Sequence, residues 1–354
     1  MTPAVRPGTP GAQWRPGPGR TGTGRAPGHH GEILQGVFLD DAGRRCAGLV
    51  TLPLPGPGSR AEFTRRPGTP PRQLTVYPAD RTKAARAAAL TVAECAPGHR
   101  EPPCGGELRI AGDIPVGLGM GSSTSDVIAV VRAVADSYGT RLPPEVIARL
   151  AVRAELACDP LMLDDRPVLF AQREGRVLEV LGRALPPVVV VGCSLGAGAP
   201  VDTLSLPVRT HDDGAVRAYE RLRVLLRQAV VTGDVALLGE VATASARRGQ
   251  ELLRHPEFEN LTDVASRFGA AGVQIAHSGA VAGLLFDPAT PGLRRRIRGC
   301  VRALEHRSIP ATRVFSTPAG SHPTKEFRSG PAHRRVDRPT RPDTPRRPAP
   351  VSAL

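Results

Sequence analysis

Stretches of helical period alternate along this chain with short runs that read as strands. In Ser122–Gly139, SSTSDVIAVVRAVADSYG, apolar residues recur at helical spacing and Gly139 supplies a stop. Arg81–Ala96 predicts a helix from its alanines. Pro143–Asp159 predicts another, opened by prolines in the first turn, where a helix has no use for the missing N–H. Gly214–Asp234 and Val235–His255 predict helices with a basic outer face, and Leu293–His306 a shorter amphipathic one.

Strands are expected between them. Gly31–Asp40 reads as a turn into a strand, and Ala47–Pro55 and Gln73–Ala79 as further strands bounded by Pro and Gly. Gly106–Gly117 holds an alternating strand that enters a glycine loop. The apolar run from Val188 predicts a buried strand, Ala271–Asp287 a strand, glycine turn and strand, and Ala311–Gly320 a last strand. No internal repeat is visible. Helices and strands together predict an α+β protein, and the change of pattern at Pro186–Pro187 predicts a domain boundary near residue 185.

Composition changes this picture at the ends. The formal net charge is +14, which suits a polyanion partner. Residues 1–30 carry Arg6, Arg15, Arg20 and Arg25 with no acid, and residues 321–354 carry eight basic and three acidic residues, leaving about +5 on the body between them. Both ends are rich in Pro and Gly. Residues 1–26 and 323–354 are therefore expected to be disordered basic tails, and a nucleic-acid function is not expected. Aromatic residues make up only 3% of the chain, so its core must be built mostly of Val, Leu and Ala. Cys46, Cys95, Cys104, Cys158, Cys193 and Cys300 form no C-x-x-C pair, which excludes a zinc ribbon or a dithiol redox motif. With no signal-peptide pattern at its start, the protein is expected in the cytoplasm with its thiols reduced. No apolar run is long enough to span a bilayer.

The segment IPVGLGMGSSTSD, Ile114 to Asp126, carries the clearest chemistry. Gly117, Gly119 and Gly121 let the backbone approach a ligand and turn with positive φ. Ser122, Ser123, Thr124 and Ser125 follow at a helix start, where free N–H groups and the positive end of the helix dipole favour an anion. Their hydroxyls can donate to phosphate or ligate Mg²⁺. No lysine stands where a Walker loop needs one. A serine-capped helix behind a flexible loop is the competing explanation.

These residues resemble a known pattern. Pro115–Ser125 is similar to the second motif of the GHMP kinase superfamily, P-x-G-x-G-L-G-S-S-A-S, with Met120 for Leu and Thr124 for Ala. PGHHGEILQG, Pro27–Gly36, resembles the first motif as the L-threonine kinase branch has it, P-x-x-C-G-E-L-x-Q-G, with His30 at the cysteine position. Gly272–Asp287, with its AHSG turn, resembles the third. CDPLM, Cys158–Met162, resembles the T-D-S-x-M pattern of that branch. The resemblance covers roughly residues 25–320.

The resemblance implies a two-domain fold, with a ribosomal protein S5 domain 2-like ATP-binding domain over 27–184 and a ferredoxin-like domain over 185–322. It implies ATP held by Pro115, Gly117, Gly119, Gly121, Ser122, Ser123, Thr124 and Ser125, and Mg²⁺ held by Ser122, Ser123 and Glu155. It implies an acceptor bound by His30, Gly31, Glu32, Gln35, His277, Ser278 and Gly279, and Asp159 as the acid/base beside the attacking hydroxyl, with Asp164 and Asp165 as rivals. Glu155 is expected on the same helix and face as Asp159. The expected activity is phosphoryl transfer from ATP to a hydroxy amino acid such as L-threonine. The alternatives are another small alcohol (homoserine, serine or a specialised-metabolite precursor) and a catalytically silent regulator. A homodimer stays open.

Two further readings stand beside these. His29, His30 and Glu32 pack metal-type donors closely, but regular strand alternation would scatter them to opposite faces. His277 reads equally as a buried structural histidine.

Overall fold

The structure is a computed structural model that describes residues 20–98, 102–115, 118–163, 166–196, 212–277 and 280–318. The chain opens with two long strands, β1 (Thr21–Leu39) and β2 (Arg45–Arg65), paired antiparallel along almost their whole lengths. There follow β3 (Leu74–Tyr77), α1 (Thr82–Cys95), β4 (Gly106–Gly112), α2 (Ser122–Ser137), α3 (Pro144–Glu155), β5 (Val168–Ala171) and β6 (Arg176–Val180). The second half runs β7 (Val189–Ser194), α4 (Asp213–Thr232), α5 (Val235–Gly249), α6 (Phe258–Phe268), β8 (Gly272–Ile275), β9 (Val281–Phe286), α7 (Leu293–Glu305) and β10 (Ala311–Ser316).

The strands form one mixed sheet in the order β10-β7-β9-β8-β1-β2-β4-β3, with β5 paired to β2 and β6 to β5. All pairs are antiparallel except β3 with β4. The halves of the sheet meet at one register pair, Glu32 of β1 with Ile275 of β8. The position expected for a boundary, 185, falls between β6 and β7.

Three apolar clusters carry most of the core. One packs α1, α2 and α3 against β2 and β4, and Val127, Ile128, Val130, Val131 and Val134 of α2 are fully buried in it. Each such side chain contributes about 1.5–3 kcal/mol relative to exposure. A second packs α4 and α5 against β1 and β2, and a third packs α6 and α7 against β7, β8 and β9. As the composition requires, Val, Leu and Ala dominate, with a few buried Phe.

The expected tail over 1–26 is too long: β1 begins at Thr21, and its first residues pair with β2. Glycines, read as a sign of disorder, serve close packing here. A Cβ on Gly24 would stand 2.0 Å from the Ala129 carbonyl oxygen of α2, and one on Gly22 would stand 2.2 Å from the Ser137 nitrogen. Only glycine lets this edge of β1 lie against the α2 backbone. The tail over 323–354 lies outside the described residues.

A second difference concerns α3. It was expected to reach Asp159 but ends at Glu155, where Leu156 takes a left-handed conformation at φ 72°. Asp159 therefore sits in the turn after the helix rather than one turn above Glu155 on its face. The β5–β6 hairpin and α6 are elements that the sequence pattern did not suggest.

Candidate active site

Gly121 is the N-cap of α2, in a left-handed conformation at φ 71°, and no side chain caps the helix. The serine-capping explanation is thereby removed: the cap residue has no side chain, and the first N–H groups of α2 stay available to an anion. Gly119 is also left-handed, at φ 73°. A Cβ on Gly121 would meet the His29 ring at 2.5 Å, and the His29 N–H donates to the Met120 carbonyl at 3.2 Å. The glycine loop thus rests on β1 at His29. Pro115 is exposed at the loop entrance, and Gly117 lies outside the described residues.

The four hydroxyl residues part company. The Ser123 and Thr124 hydroxyls each donate to Glu155, to Oε2 and Oε1 respectively, both at 2.7 Å. Thr124 Oγ1 also accepts from the Asp159 N–H at 3.5 Å. Ser122 is half-buried and its side chain has no hydrogen bond among the described residues. Ser125, expected to face ATP, is fully buried instead. Its hydroxyl donates to the Ala26 carbonyl and accepts from the Ser59 N–H, both at 3.0 Å, so it ties α2 to β1 and β2. The cause is helical geometry: Ser125 lies on the face of α2 that packs against the sheet.

Asp159 is half-buried and faces β1. His29 Nε2 lies 3.0 Å from Asp159 Oδ2, and His29 Nδ1 lies 3.2 Å from the Gly31 carbonyl and 3.7 Å from Glu32 Oε1. On a regular strand His29 and Glu32 would face opposite ways. Gly31 prevents this. It sits at φ 71°, β1 shifts register between His29 and Glu32, and the bulge turns both side chains to one side. A nitrogen of His29 and carboxylate oxygens of Glu32 and Asp159 then lie within 4.8 Å of one another. The ion pair and hydrogen bonds account for this cluster.

Its charges are arranged in a chain. Burial works against a charged His29, but the Asp159 carboxylate, its hydrogen bond and Glu32 outweigh burial and raise the ring to about 9. Burial would raise Asp159, yet His29 beside it holds the carboxyl below its usual range. Burial raises Glu32 to about 8, against the pull of His29. At neutral pH the cluster therefore pairs an imidazolium with an ionised Asp159, while burial holds Glu32 above its ordinary range. Burial likewise raises Glu155 to about 7, with the Ser123 and Thr124 hydroxyls opposing it.

The acceptor-side residues divide in the same way. Glu32 Oε2 accepts from the His277 N–H at 2.5 Å, and His277 Nδ1 lies 3.0 Å from Gln35 Oε1, so Glu32, Gln35 and His277 form one wall. His30, expected there, is absent from it. It is 1% exposed on the other side of β1, with Nδ1 2.9 Å from Gln274 Nε2 and its ring 5.1 Å from that of Phe315. Burial lowers it to about 4, so it stays neutral. Strand alternation explains the correction: if His29 faces the site, its neighbour cannot. The signal was in the sequence, since the pair of histidines offers one to each face. Ser278, Gly279, Asp164 and Asp165 lie outside the described residues.

Comparison with known proteins fits this geometry. The family model described as the GHMP kinases N terminal domain matches residues 83–163, and that of the GHMP kinases C terminal matches residues 226–298. The chain thus carries both the N-terminal and the C-terminal domain of the GHMP kinases. The first matched segment holds the glycine loop, Glu155 and Asp159, and the second holds His277. His29 and Glu32 lie outside both. Among curated relatives, the chain is 28% identical over 181 residues to the L-threonine kinase of Citrobacter freundii, covering 51% of this chain and 62% of that protein. It is 28% identical over 188 residues to the L-threonine kinase of Salmonella typhimurium, covering 51% and 60%. The matches thus span less than two thirds of those relatives' lengths. Among solved structures, homoserine kinase from Cytophaga hutchinsonii superposes with a TM-score of 0.61 at 16% identity, over 87% of this chain and 98% of that one. That likeness shows the α+β GHMP kinase fold. Among the described residues, no helix is long and apolar enough to cross a membrane.

Proposed function

We propose that the protein transfers the γ-phosphate of ATP to the hydroxyl of a small alcohol, a hydroxy amino acid with L-threonine first among the candidates. One observation carries the reading. Thr124, at the bare start of α2, bonds to both Glu155 and the Asp159 backbone. The anion-binding helix end, a buried carboxylate and an ionised carboxylate are thereby tied into one cluster. In this reading residues 27–184 act as the ATP-binding domain and 185–322 as the second domain.

Each group has a part. The α2 N–H groups and the glycine loop receive the triphosphate. Ser123 and Glu155 offer an all-oxygen donor set, and Glu155 is a buried carboxylate raised toward neutrality, which a hard dication would stabilise. These two residues would hold Mg²⁺, which supplies charge neutralisation on the phosphates. Asp159 accepts a hydrogen bond from the acceptor hydroxyl. The hydroxyl oxygen bonds to the γ-phosphorus as the bond from that phosphorus to the bridging oxygen of ADP breaks, and the proton passes to Asp159. In a loose transition state the proton leaves late, so an oriented carboxylate suffices even with a low proton affinity. His29 keeps that carboxylate ionised and fixed.

The substrate class is supported by the likeness to two L-threonine kinases and by the wall of Glu32, Gln35 and His277 beside Asp159. ADP release from the full chain, with ATP, Mg²⁺ and a panel of hydroxy amino acids and simple alcohols, tests it. Release that depends on a hydroxy amino acid is expected. A chain that binds neither ATP nor ADP overturns the reading.

A further inference from the structure

Beyond the wall of Gln35 and His277 opens a cleft of about 410 Å³, closed on its far side by α4 and the end of α5. Its size lies in the range of small-molecule sites. It is coupled to the catalytic turn: Gln172, which lines it, accepts a hydrogen bond through its carbonyl from the Cys158 N–H at 3.0 Å, the residue before Asp159. The cleft thus joins groups assigned to the acceptor to groups that the phosphoryl transfer does not use.

Arg248 lines this cleft. It is half-buried in the last turn of α5, and its guanidinium lies 5.5 Å from the centre of the Tyr219 ring. Stacking on an aromatic face fixes a guanidinium and leaves its N–H fork free in plane. Arg248 has no carboxylate partner among the described residues. A half-buried cation without an anion is costly, and an oxyanion in the cleft removes that cost. A second polar group in the wall lacks a partner among the described residues: His255 Nε2 is shielded from solvent and makes no hydrogen bond there.

The other charges in the lining decide the kind of anion. Arg248 is the only Lys or Arg that lines the cleft among the described residues, and it shares the lining with Asp212 and Glu251. Asp212 Oδ1 already caps α4 by accepting from the Ala215 N–H at 2.7 Å, and a phosphate dianion would meet a single cation. A ligand with a single carboxylate matches that one cation.

Given the kinase reading above, the geometry points to Arg248 as the residue that selects acceptors bearing a carboxylate. The guanidinium takes the carboxylate through two parallel N–H donors, and the hydroxyl end is left toward Gln35 and His277. Arg248 is a specificity-determining residue in this account and takes no part in the transfer.

Calorimetric titration of the full chain, with a non-hydrolysable ATP analogue present, tests this. The probes are L-threonine, L-homoserine and 1-aminopropan-2-ol, the last being threonine without its carboxylate. Wild type is expected to bind one of the two amino acids at least about tenfold more tightly than the amino alcohol. Arg248→Met is expected to erase that difference by weakening amino-acid binding about tenfold or more, the loss of a charged bidentate contact. Arg248→Lys, which keeps the charge and guards against a misfolded Met variant, is expected to lie between. Three results overturn the inference: no amino-acid binding by wild type at 10 mM (about the weakest affinity such a site could usefully have), equal binding of the amino alcohol, or unchanged affinity in both variants. ADP formation is read separately. Release with a carboxylate-free alcohol alone leaves the kinase reading standing and removes this one. Binding of an amino acid that depends on Arg248, without any ADP, does the reverse.

Discussion

His29 Nε2 and Asp159 Oδ2 stand 3.0 Å apart, a buried imidazole against a half-buried carboxylate brought together from positions 130 residues apart in the chain. The pair joins the bulge in β1 to the turn after α3. It fixes the state of the one carboxylate that the proposed transfer needs ionised.

The pair gives the protein a pH signature. His29 is raised in the fold from its ordinary 6.5 to about 9, so its stabilisation is complete below about 6.5 and is lost as pH rises through about 9. Asp159 is lowered below its ordinary 3.8, so its stabilisation is present above that value and is lost as pH falls through the lowered one. Melting temperature against pH should fall between about 6.5 and 9 in wild type. In His29→Gln, which keeps a hydrogen bond but no charge, that alkaline decline should shrink. Identical profiles would remove the ion pair from the account.

Thr124 is 4% exposed and its hydroxyl donates to a carboxylate, so Thr124→Val should cost about 1.5–3 kcal/mol in denaturant unfolding. Ser123→Ala removes the neighbouring bond from a half-buried position and should weaken Mg²⁺-dependent nucleotide binding with a smaller loss of stability. Equal effects of the two substitutions on nucleotide binding would contradict the division of roles.

Gly31 creates the bulge that turns His29 and Glu32 to one side. A Cβ there would stand 2.5 Å from Gln274 Oε1 and 2.9 Å from the Ala276 Cα, in a backbone conformation that L-residues disfavour. Gly31→Ala should lower stability by about 1–3 kcal/mol and turnover by more than that loss explains, because the cluster itself is displaced. Circular dichroism melts paired with rates check both parts.

Gly24→Ala carries the same logic to the start of β1, where the added methyl would strike the α2 backbone. A loss of about 1–3 kcal/mol is expected on thermal or denaturant unfolding. A neutral result would return residues 21–26 to the tail in which their composition places them.

Much of this was legible in the sequence for physical reasons. The helix and strand periods of α1, α2, α4, α5, α7, β8 and β9 follow from burial of one face, and the glycine loop shows its chemistry in its residue types. Asp159 was legible only through its motif, because spacing alone extended α3 across it and nothing in the residue types marks Leu156 as a left-handed stop. His29 was missed because strand alternation excluded the His29–Glu32 pairing, and one glycine overturned that alternation. The start of β1 was hidden because glycine for close packing and glycine for disorder look alike in composition. The β5–β6 strands, at four and five residues, give too few alternations to read. Arg248 carried no signal, since an arginine among the basic residues of α5 and its neighbours becomes distinct only when its partners are known.

The central claim is that Asp159 serves the transfer and not the binding of ATP. Its most direct test is Asp159→Asn in the full chain, with steady-state ADP formation on the preferred acceptor and nucleotide affinity measured side by side. A fall in kcat of about 10²- to 10⁴-fold, with ATP affinity within about threefold of wild type, is the predicted result. Turnover close to wild type, or a loss confined to ATP affinity, would contradict it.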